Sequence, residues 1–247
     1  MFTPADRERL RTQVLAFGQA DARISGGAVT GSVTAGAEDM WSYVDLAFGV
    51  ADGATVEEVL ADWTAMMYRE HEAVHHVDVF AGAWTYRVFL LRDTLQVDLA
   101  FVSAAQFGAR AATFRLVFGK SVELPRSEPT AITDVLALGW LYALHVRSSI
   151  ERGRKWQAEY MLGAMRDEVL KVACLRHGLP ASEGRGIDRL PAEVTRPLEM
   201  ALVCSLETDE LRRAFKAALD GLITEARIVD RALADRLEPA LRELAHG

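Results

Sequence analysis

The segments Ala28-Val29-Thr30-Gly31-Ser32 and Tyr43-Val44-Asp45-Leu46-Ala47-Phe48 decide the fold of this 247-residue chain. Each is a short apolar run typical of a β-strand. The first ends in a Gly-Ser turn, whose backbone N–H groups and hydroxyl can cradle phosphate oxygens. Side chains two residues apart on a strand project to the same side of a sheet, so Tyr43 and Asp45 are expected to point together toward Gly31 and Ser32.

The periodicity of apolar residues divides the chain into two parts. In the first part it predicts a helix over 4–20, strands over 24–30 and 44–50, a helix from 55 to about 71, a strand over 74–80, and hairpin arms over 86–91 and 94–102. Two prolines and mixed charges over 121–130 indicate a linker. Beyond it the pattern predicts only helices, over 131–150, 154–177, about 190–206, 208–222 and 223–244. The predicted class is α/β (α+β), with a small mixed-sheet domain over 1–120 and a C-terminal helical bundle over 121–247.

Composition and charge exclude several classes of protein. The net charge is −7, and residues 1–125 carry 10 Lys and Arg against 16 Asp and Glu, which argues against a nucleic-acid partner. No apolar run approaches the ~20 residues of a membrane-spanning helix, so no membrane partner is expected. The charged N-terminus is unlike a signal peptide. Cys174 and Cys204 lie in apolar, helix-like surroundings and are expected to be buried free thiols. We therefore expect a cytoplasmic protein.

Two carboxylates lie inside apolar strands, Asp45 in the segment quoted above and Asp98 in Gln96-Val97-Asp98-Leu99-Ala100-Phe101. An ionised carboxylate there is costly unless a metal, a cation or hydrogen bonds compensate its charge. Two such acids in one small sheet favour a shared metal site. The alternative is a pair of structural acids satisfied by neighbouring side chains. Glu38 and Asp39, in the loop before the second strand, are instead expected to be solvated.

A third group of polar residues is the run His75-His76-Val77-Asp78. Adjacent histidines on a strand point to opposite faces, so at most His76 and Asp78 could share an ion. A strand with one partly exposed face is the preferred interpretation.

The segment from the Gly-Ser turn to the acidic strand resembles the nucleotidyltransferase superfamily. That superfamily has Gly-Ser, then a loop containing Gly, then Ser-Asp-x-Asp-Leu. The matching residues here are Gly31, Ser32, Gly36, Ser42, Asp45 and Leu46. Tyr43 stands at the position of the first acid, and a phenol is a poor substitute for a carboxylate ligand.

The resemblance implies a role for each matching residue. Gly31, Ser32 and Ser42 would bind the nucleotide, with ATP as substrate. Asp45 would be the second acid of the superfamily pair and Asp98 the third acid, and the two would hold Mg²⁺. Magnesium prefers hard oxygen ligands and keeps several waters, so two carboxylates and phosphate oxygens suffice for one ion. Stabilisation by two metal ions would be impaired without the missing carboxylate.

The predicted helix over 154–177 carries Arg154-Lys155-Trp156-Gln157-Ala158-Glu159-Tyr160. Glu159, Gly163 and Arg166 share one helical stripe, and the spacing alone favours an exposed face with an ordinary ion pair. The stretch resembles the C-terminal helical domain of aminoglycoside and lincosamide nucleotidyltransferases. That resemblance implies that Glu159 is the general base that takes the proton of the accepting hydroxyl.

Two functions follow from the resemblance. The first is an enzyme that transfers a nucleoside monophosphate, AMP from ATP, to a hydroxyl of an antibiotic-like small molecule such as an aminoglycoside or a lincosamide. The second is a catalytically weakened or inactive protein of the same fold that binds nucleotide or a protein partner. Tyr43 motivates the second, since losing a metal ligand lowers the rate by orders of magnitude.

Overall fold

Helices and strands alternate through the first part of the chain, and only helices follow. The computed structural model describes residues 1–110, 113–125 and 130–245, so the predicted linker over 121–130 lies partly outside the described residues. The strands are β1 (Ile24–Thr30), β2 (Val44–Val50), β3 (Ala73–Ala81), β4 (Trp84–Leu91), β5 (Gln96–Ser103) and β6 (Phe114–Gly119). The helices are α1 (Pro4–Ala20), α2 (Val56–Glu70), α3 (Ile132–Glu151), α4 (Lys155–Arg176), α5 (Ala192–Glu199), α6 (Thr208–Val229) and α7 (Arg231–Leu244). Two compact units result, Met1–Ser127 and Glu128–Gly247. The predicted α+β class is confirmed.

The first unit contains a six-stranded sheet with the order β3-β4-β5-β2-β1-β6. The pair β2–β5 is parallel, and the other four pairs are antiparallel. A parallel pair needs a long crossover, which α2 and the β3–β4 hairpin provide. The sequence did not predict β6, because a six-residue run gives a weak periodic signal.

One face of the sheet packs against α1 and α2 around Trp63, which is fully buried. Its ring centroid lies 4.7 Å from that of Phe48 on β2 and 5.1 Å from that of Phe101 on β5. The Trp63 indole N–H donates to Asp21 at 3.0 Å. Hydrogen bonds from Arg23 and from Trp63 hold the pKa of Asp21 at about 2, so this carboxylate stays ionised and ties the end of α1 to α2.

The opposite face of the sheet carries the second set of strand side chains, because successive residues alternate between faces. Ala47, Trp84, Ala100 and Phe107 form a small apolar cluster there. The buried positions Val44, Leu46, Val97 and Leu99 belong to the helix-covered face. Residues 45 and 98 alternate with them and therefore lie on the same face as the small cluster.

The second unit is helical, and its core runs along α3, α4 and α6. A buried ion pair joins two of these helices, since Arg176 donates from Nε and Nη2 to Glu225 at 3.0 Å each. Two boundaries differ from the sequence prediction. Helix α5 is shorter than expected, and the break between α6 and α7 falls at Asp230 rather than after residue 222.

The two cysteines differ in exposure. Cys174 on α4 is buried, and burial raises the pKa of its thiol. Cys204 is exposed in the connection between α5 and α6, so the prediction that it is buried is wrong. The cause is the early end of α5, which leaves residue 204 outside a helix. No helix in the described part of the chain combines the length and apolarity needed to cross a lipid bilayer.

Candidate functional site

The two strand carboxylates lie side by side. Asp45 on β2 pairs directly with Asp98 in the parallel register of β2 and β5. Directly paired residues on neighbouring strands share a face, and the strands lie ~4.8 Å apart. Both side chains are half-buried. The structure therefore brings together the two acids that the sequence singled out.

Gln96 is a neighbour of this pair that the sequence analysis did not assign to the site. Its side-chain amide donates from Nε2 to Asp98 Oδ1 at 2.9 Å. The two residues are two positions apart on β5, so their side chains share a face. The sequence could have revealed this contact, because Gln96 is a polar residue two positions before Asp98 on the same strand. Gln96 fixes the orientation of the Asp98 carboxylate.

The Gly-Ser turn contacts the acidic strand. Gly31 begins a 3₁₀ helix, Gly31–Ala35, and has a φ of +73°, in the left-handed region that favours glycine. A Cβ at Gly31 would lie 2.9 Å from Asp45 Cγ and closer still to Oδ2, well inside van der Waals contact. The Thr34 hydroxyl donates to the Gly31 carbonyl at 2.8 Å and closes the turn, which also contains Ser32. The turn can therefore approach the Asp45 carboxylate this closely only because residue 31 has no side chain.

Tyr43 lies just before β2, and its side chain is 48 % exposed. Within residues 1–110, 113–125 and 130–245, no group of three or more His, Cys, Asp or Glu side chains is arranged to hold a metal ion. Asp45 and Asp98 thus offer two carboxylates and no third. Two hard oxygen ligands fit one magnesium ion that keeps several waters or phosphate oxygens, and they do not fit a pair of ions.

Ser42 organises the loop that leads into β2. Its hydroxyl donates to Asp39 Oδ1 at 3.0 Å and accepts from the Asp39 backbone N–H at 2.9 Å. The backbone N–H of Trp41 also donates to Asp39 Oδ1, at 2.9 Å. Hydrogen bonds from the Trp41 backbone and the Ser42 hydroxyl lower the pKa of Asp39. The Ser42 hydroxyl therefore closes this turn, and the nucleotide-binding role of Ser42 stays a prediction.

Two buried arginines of α1 hold the same loop, and the sequence analysis missed them. Arg7 donates from Nη1 to the carbonyls of Asp39 and Ser42 at 2.6 and 3.1 Å. Its Nε lies 3.3 Å from Glu38 Oε1, and Arg11 forms an ion pair with the same carboxylate. The prediction that Glu38 is solvated is wrong, because both guanidinium groups are almost fully buried around it.

The position of these arginines in α1 is the signal that could have revealed them. Arg7 and Arg11 lie four residues apart, and Val14 and Gly18 continue the same buried stripe. Positive charges on the buried stripe of an amphipathic helix need a carboxylate partner, because an unpaired buried charge is costly. The loop acid Glu38 supplies that partner.

Glu159, the predicted general base, lies in the second unit near the start of α4 and is half-buried. Gly163 and Arg166 follow along the helix, and a Cβ at Gly163 would lie 3.6 Å from Arg166 Nη2. The same nitrogen is 3.7 Å from Asp167 Oδ1. Glu159, Gly163 and Arg166 are all half-buried, so the exposed face that the spacing favoured is not observed, and Arg166 pairs with the adjacent Asp167.

His76 and Asp78 each contact a different protein side chain. The Tyr68 hydroxyl is hydrogen-bonded to His76 Nδ1 at 3.0 Å. Arg87 donates from Nε and Nη2 to the two oxygens of Asp78, at 2.7 Å each. Hydrogen bonds from Arg87 lower the pKa of Asp78. These contacts favour the interpretation as a partly exposed strand over a shared ion.

Comparison with solved structures finds chains of similar fold. No family model and no curated protein matches the chain. The chain is similar to the crystal structure of an aminoglycoside 6-adenyltransferase from Bacillus subtilis, with 13 % identity and a TM-score of 0.43. The match covers 96 % of this chain and 97 % of that chain. This neighbour is of the kind that the sequence resemblance named.

Proposed function

We propose that this chain transfers a nucleoside monophosphate, AMP from ATP, to a hydroxyl of a small-molecule acceptor of the aminoglycoside or lincosamide type. The observation that carries the proposal is the direct pairing of Asp45 with Asp98 beside a glycine turn that touches the Asp45 carboxylate. A turn of this kind can hold phosphate oxygens, and the paired carboxylates can hold the cation that neutralises them. The sequence resemblance supplies the choice of nucleotide and of acceptor class.

Each residue of the candidate site has its own role in the proposed reaction. The turn at Gly31 and Ser32 orients the triphosphate. Asp45 and Asp98 would hold Mg²⁺, which when bound neutralises charge on the phosphate oxygens. The acceptor oxygen attacks the α-phosphorus, the bond to the bridging oxygen breaks, and pyrophosphate leaves. Glu159 takes the proton of the acceptor hydroxyl. Positioning supplies most of the acceleration, because the chain forms no covalent intermediate in this scheme.

The first test replaces one carboxylate. Asp98→Asn keeps the shape of the side chain and removes its charge, so the affinity for Mg·ATP is expected to fall by roughly tenfold or more. Titration calorimetry with Mg·ATP measures this, and transfer of labelled AMP to a panel of aminoglycosides and lincosamides measures the reaction. Asp62→Asn on α2, an exposed acid that pairs with Arg23, is the matched control and should bind as the unsubstituted chain does. Equal affinity of Asp98→Asn and the control would contradict the metal role of Asp98.

The second candidate function is nucleotide binding without transfer, and the exposed Tyr43, at the position of the first acid of the superfamily motif, favours it. Restoring the acid with Tyr43→Asp adds the ligand that a second cation needs. We expect the transfer rate to rise by roughly two orders of magnitude, which is the size of effect that one well-placed charge-stabilising group has. Tyr43→Asn has nearly the same shape without the charge and should give no such rise. A Tyr43→Asp rate equal to that of Tyr43→Asn would overturn the view that the missing acid limits activity.

A further inference from the structure

The strand β3 forms one edge of the sheet among the described strands, and most of its length is without the features that usually protect an edge. Edge strands of monomers are commonly short, or carry lysine, proline or a bulge. β3 has nine residues without lysine, arginine or proline, and its one register irregularity is at its start, between Ala73 and His75. Four of its apolar side chains are exposed: Val74 by 48 %, Val77 by 55 %, Val79 by 51 % and Phe80 by 70 %.

The opposite edge, β6, is protected. It has six residues, includes Arg115, and pairs with β1 through a register shift. It ends at Gly119, which has a φ of +76° and turns the chain away. The difference between the two edges indicates that a further strand would pair with β3 rather than with β6.

The β3–β4 turn determines which backbone groups of β3 face outward. Ala81 pairs with Trp84 across a two-residue turn, so this closing pair exchanges both hydrogen bonds. In an antiparallel ladder such pairs alternate with pairs that exchange none. Val79 and Val77 therefore direct their backbone groups toward β4. The even-numbered residues between His75 and Ala81 direct theirs to the open edge.

This alternation limits how a second copy of β3 could pair with the first. A two-fold axis at Val77 places His76 opposite Asp78 twice, and Val74 opposite Phe80 twice. His76, Asp78 and Phe80 have outward backbone groups, so the two His76–Asp78 pairs satisfy the ladder, and Val74 lies at the register irregularity between Ala73 and His75. An imidazole N–H meets a carboxylate in one pair and apolar side chains meet in the other, and both kinds of cross-strand pair are stabilising.

The neighbouring registers are worse for identifiable reasons. An axis at Asp78 places two carboxylates directly opposite each other, and like charges in that position are destabilising. An axis at His75 places Asp78 opposite Glu72 with the same consequence. An axis at Val79 places the Asp78 carboxylate opposite the Phe80 ring. Among these registers, the axis at Val77 is the one that places Asp78 opposite neither a like charge nor an aromatic ring.

We propose that the chain forms a homodimer in which the β3 strands of two copies pair antiparallel about a two-fold axis at Val77, joining two six-stranded sheets. The residues of the polar pair are already held in place within each copy. Arg87 grips both oxygens of Asp78, and the Tyr68 hydroxyl binds His76 Nδ1, so Nε2 is the ring nitrogen left to meet Asp78 of the second copy. Ordering these side chains before association lowers the entropy cost of binding. The interface is independent of the proposed transfer reaction.

The mass in solution tests the proposal. Sedimentation velocity across a dilution series should show a species of twice 27.2 kDa for the unsubstituted chain. Val77→Lys places two ammonium groups against each other at the axis and should leave a monomer. Val117→Lys, at a residue of β6 that is 48 % exposed, is the matched control and should remain dimeric. A monomeric unsubstituted chain, or a dimeric Val77→Lys chain, overturns the proposal.

Cross-linking tests the register and does not depend on the lysine variant folding. Residues at the axis form a pair that exchanges no hydrogen bonds, with Cβ atoms close enough for a disulfide. In a Cys204→Ser background, Val77→Cys should therefore give a disulfide-linked dimer on mild oxidation. Val79→Cys should not, because its counterpart across the axis is His75. Cross-linking at Val79 in place of Val77 would reject the axis.

Discussion

Replacing Glu38 by alanine is expected to lower the free energy of unfolding of the first unit by about 3–5 kcal/mol. Arg7 and Arg11 are each 5 % exposed, and Glu38 is the carboxylate that contacts both. Removing it takes away the ion pair of the buried Arg7 and leaves Arg11 with the exposed Glu8 alone, and an uncompensated buried charge is among the largest single destabilising changes. Urea unfolding followed by intrinsic tryptophan fluorescence measures the loss.

Glu8→Ala is the matched control for this change. Glu8 also pairs with Arg11, but its side chain is 63 % exposed. Water replaces an exposed carboxylate readily, so the expected loss is below about 1 kcal/mol. Equal losses for the two substitutions would show that the half-buried position of Glu38 beside two arginines is irrelevant.

Glu38→Ala should also loosen the loop before β2. Arg7 donates to the carbonyls of Asp39 and Ser42, and the Glu38 carboxylate lies 3.3 Å from its Nε and balances its charge. The loop leads directly to Tyr43 and Asp45. We therefore regard the arginine pair as the support that connects α1 to the candidate site.

The sequence predicted those parts of the site that local patterns encode. Gly31 and Ser32 lie at a strand end, and Asp45 and Asp98 interrupt apolar strands, so each is visible within a few residues. The pairing of Arg11 with Glu38 spans 27 positions in the chain. No local pattern records such a pair, and a charged residue in an amphipathic helix is more often solvated.

The helix boundaries show the same limit of local information. The sequence prediction places a break after residue 222, next to Gly221, and glycine is unfavourable inside a helix. In the structure α6 continues through Gly221, where a Cβ would lie 2.5 Å from Leu198 Cδ2, so the glycine is there for close packing. The break falls at Asp230, whose side chain accepts from the Leu233 backbone N–H and caps α7. Only the tertiary contact distinguishes the two kinds of position.

Gly31→Ala is expected to lower the free energy of unfolding of the first unit by about 2–5 kcal/mol and to abolish Mg·ATP binding. The added methyl group meets two penalties. The left-handed φ of Gly31 costs a residue with a Cβ about 1–2 kcal/mol. The collision with the Asp45 carboxylate adds the cost of overpacking, about 1–3 kcal/mol. Relief of the collision moves the carboxylate, which then no longer faces Asp98 in the same way.

Gly36→Ala separates the two penalties. Gly36 also has a left-handed φ, of +64°, but a Cβ there would have nothing within 4 Å. Its replacement should therefore cost about 1–2 kcal/mol through the backbone alone and leave Mg·ATP binding unchanged.

A double-mutant cycle then isolates the contact with Asp45. In an Asp45→Ala background the carboxylate is gone, so Gly31→Ala should cost no more than Gly36→Ala does. The difference between the two backgrounds is the coupling between turn and strand, and directly contacting residues show couplings of about 0.5–3 kcal/mol. If Gly31→Ala costs the same in both backgrounds, the carboxylate does not press against the turn. The paired acids would then lack the phosphate cradle on which nucleotide binding depends.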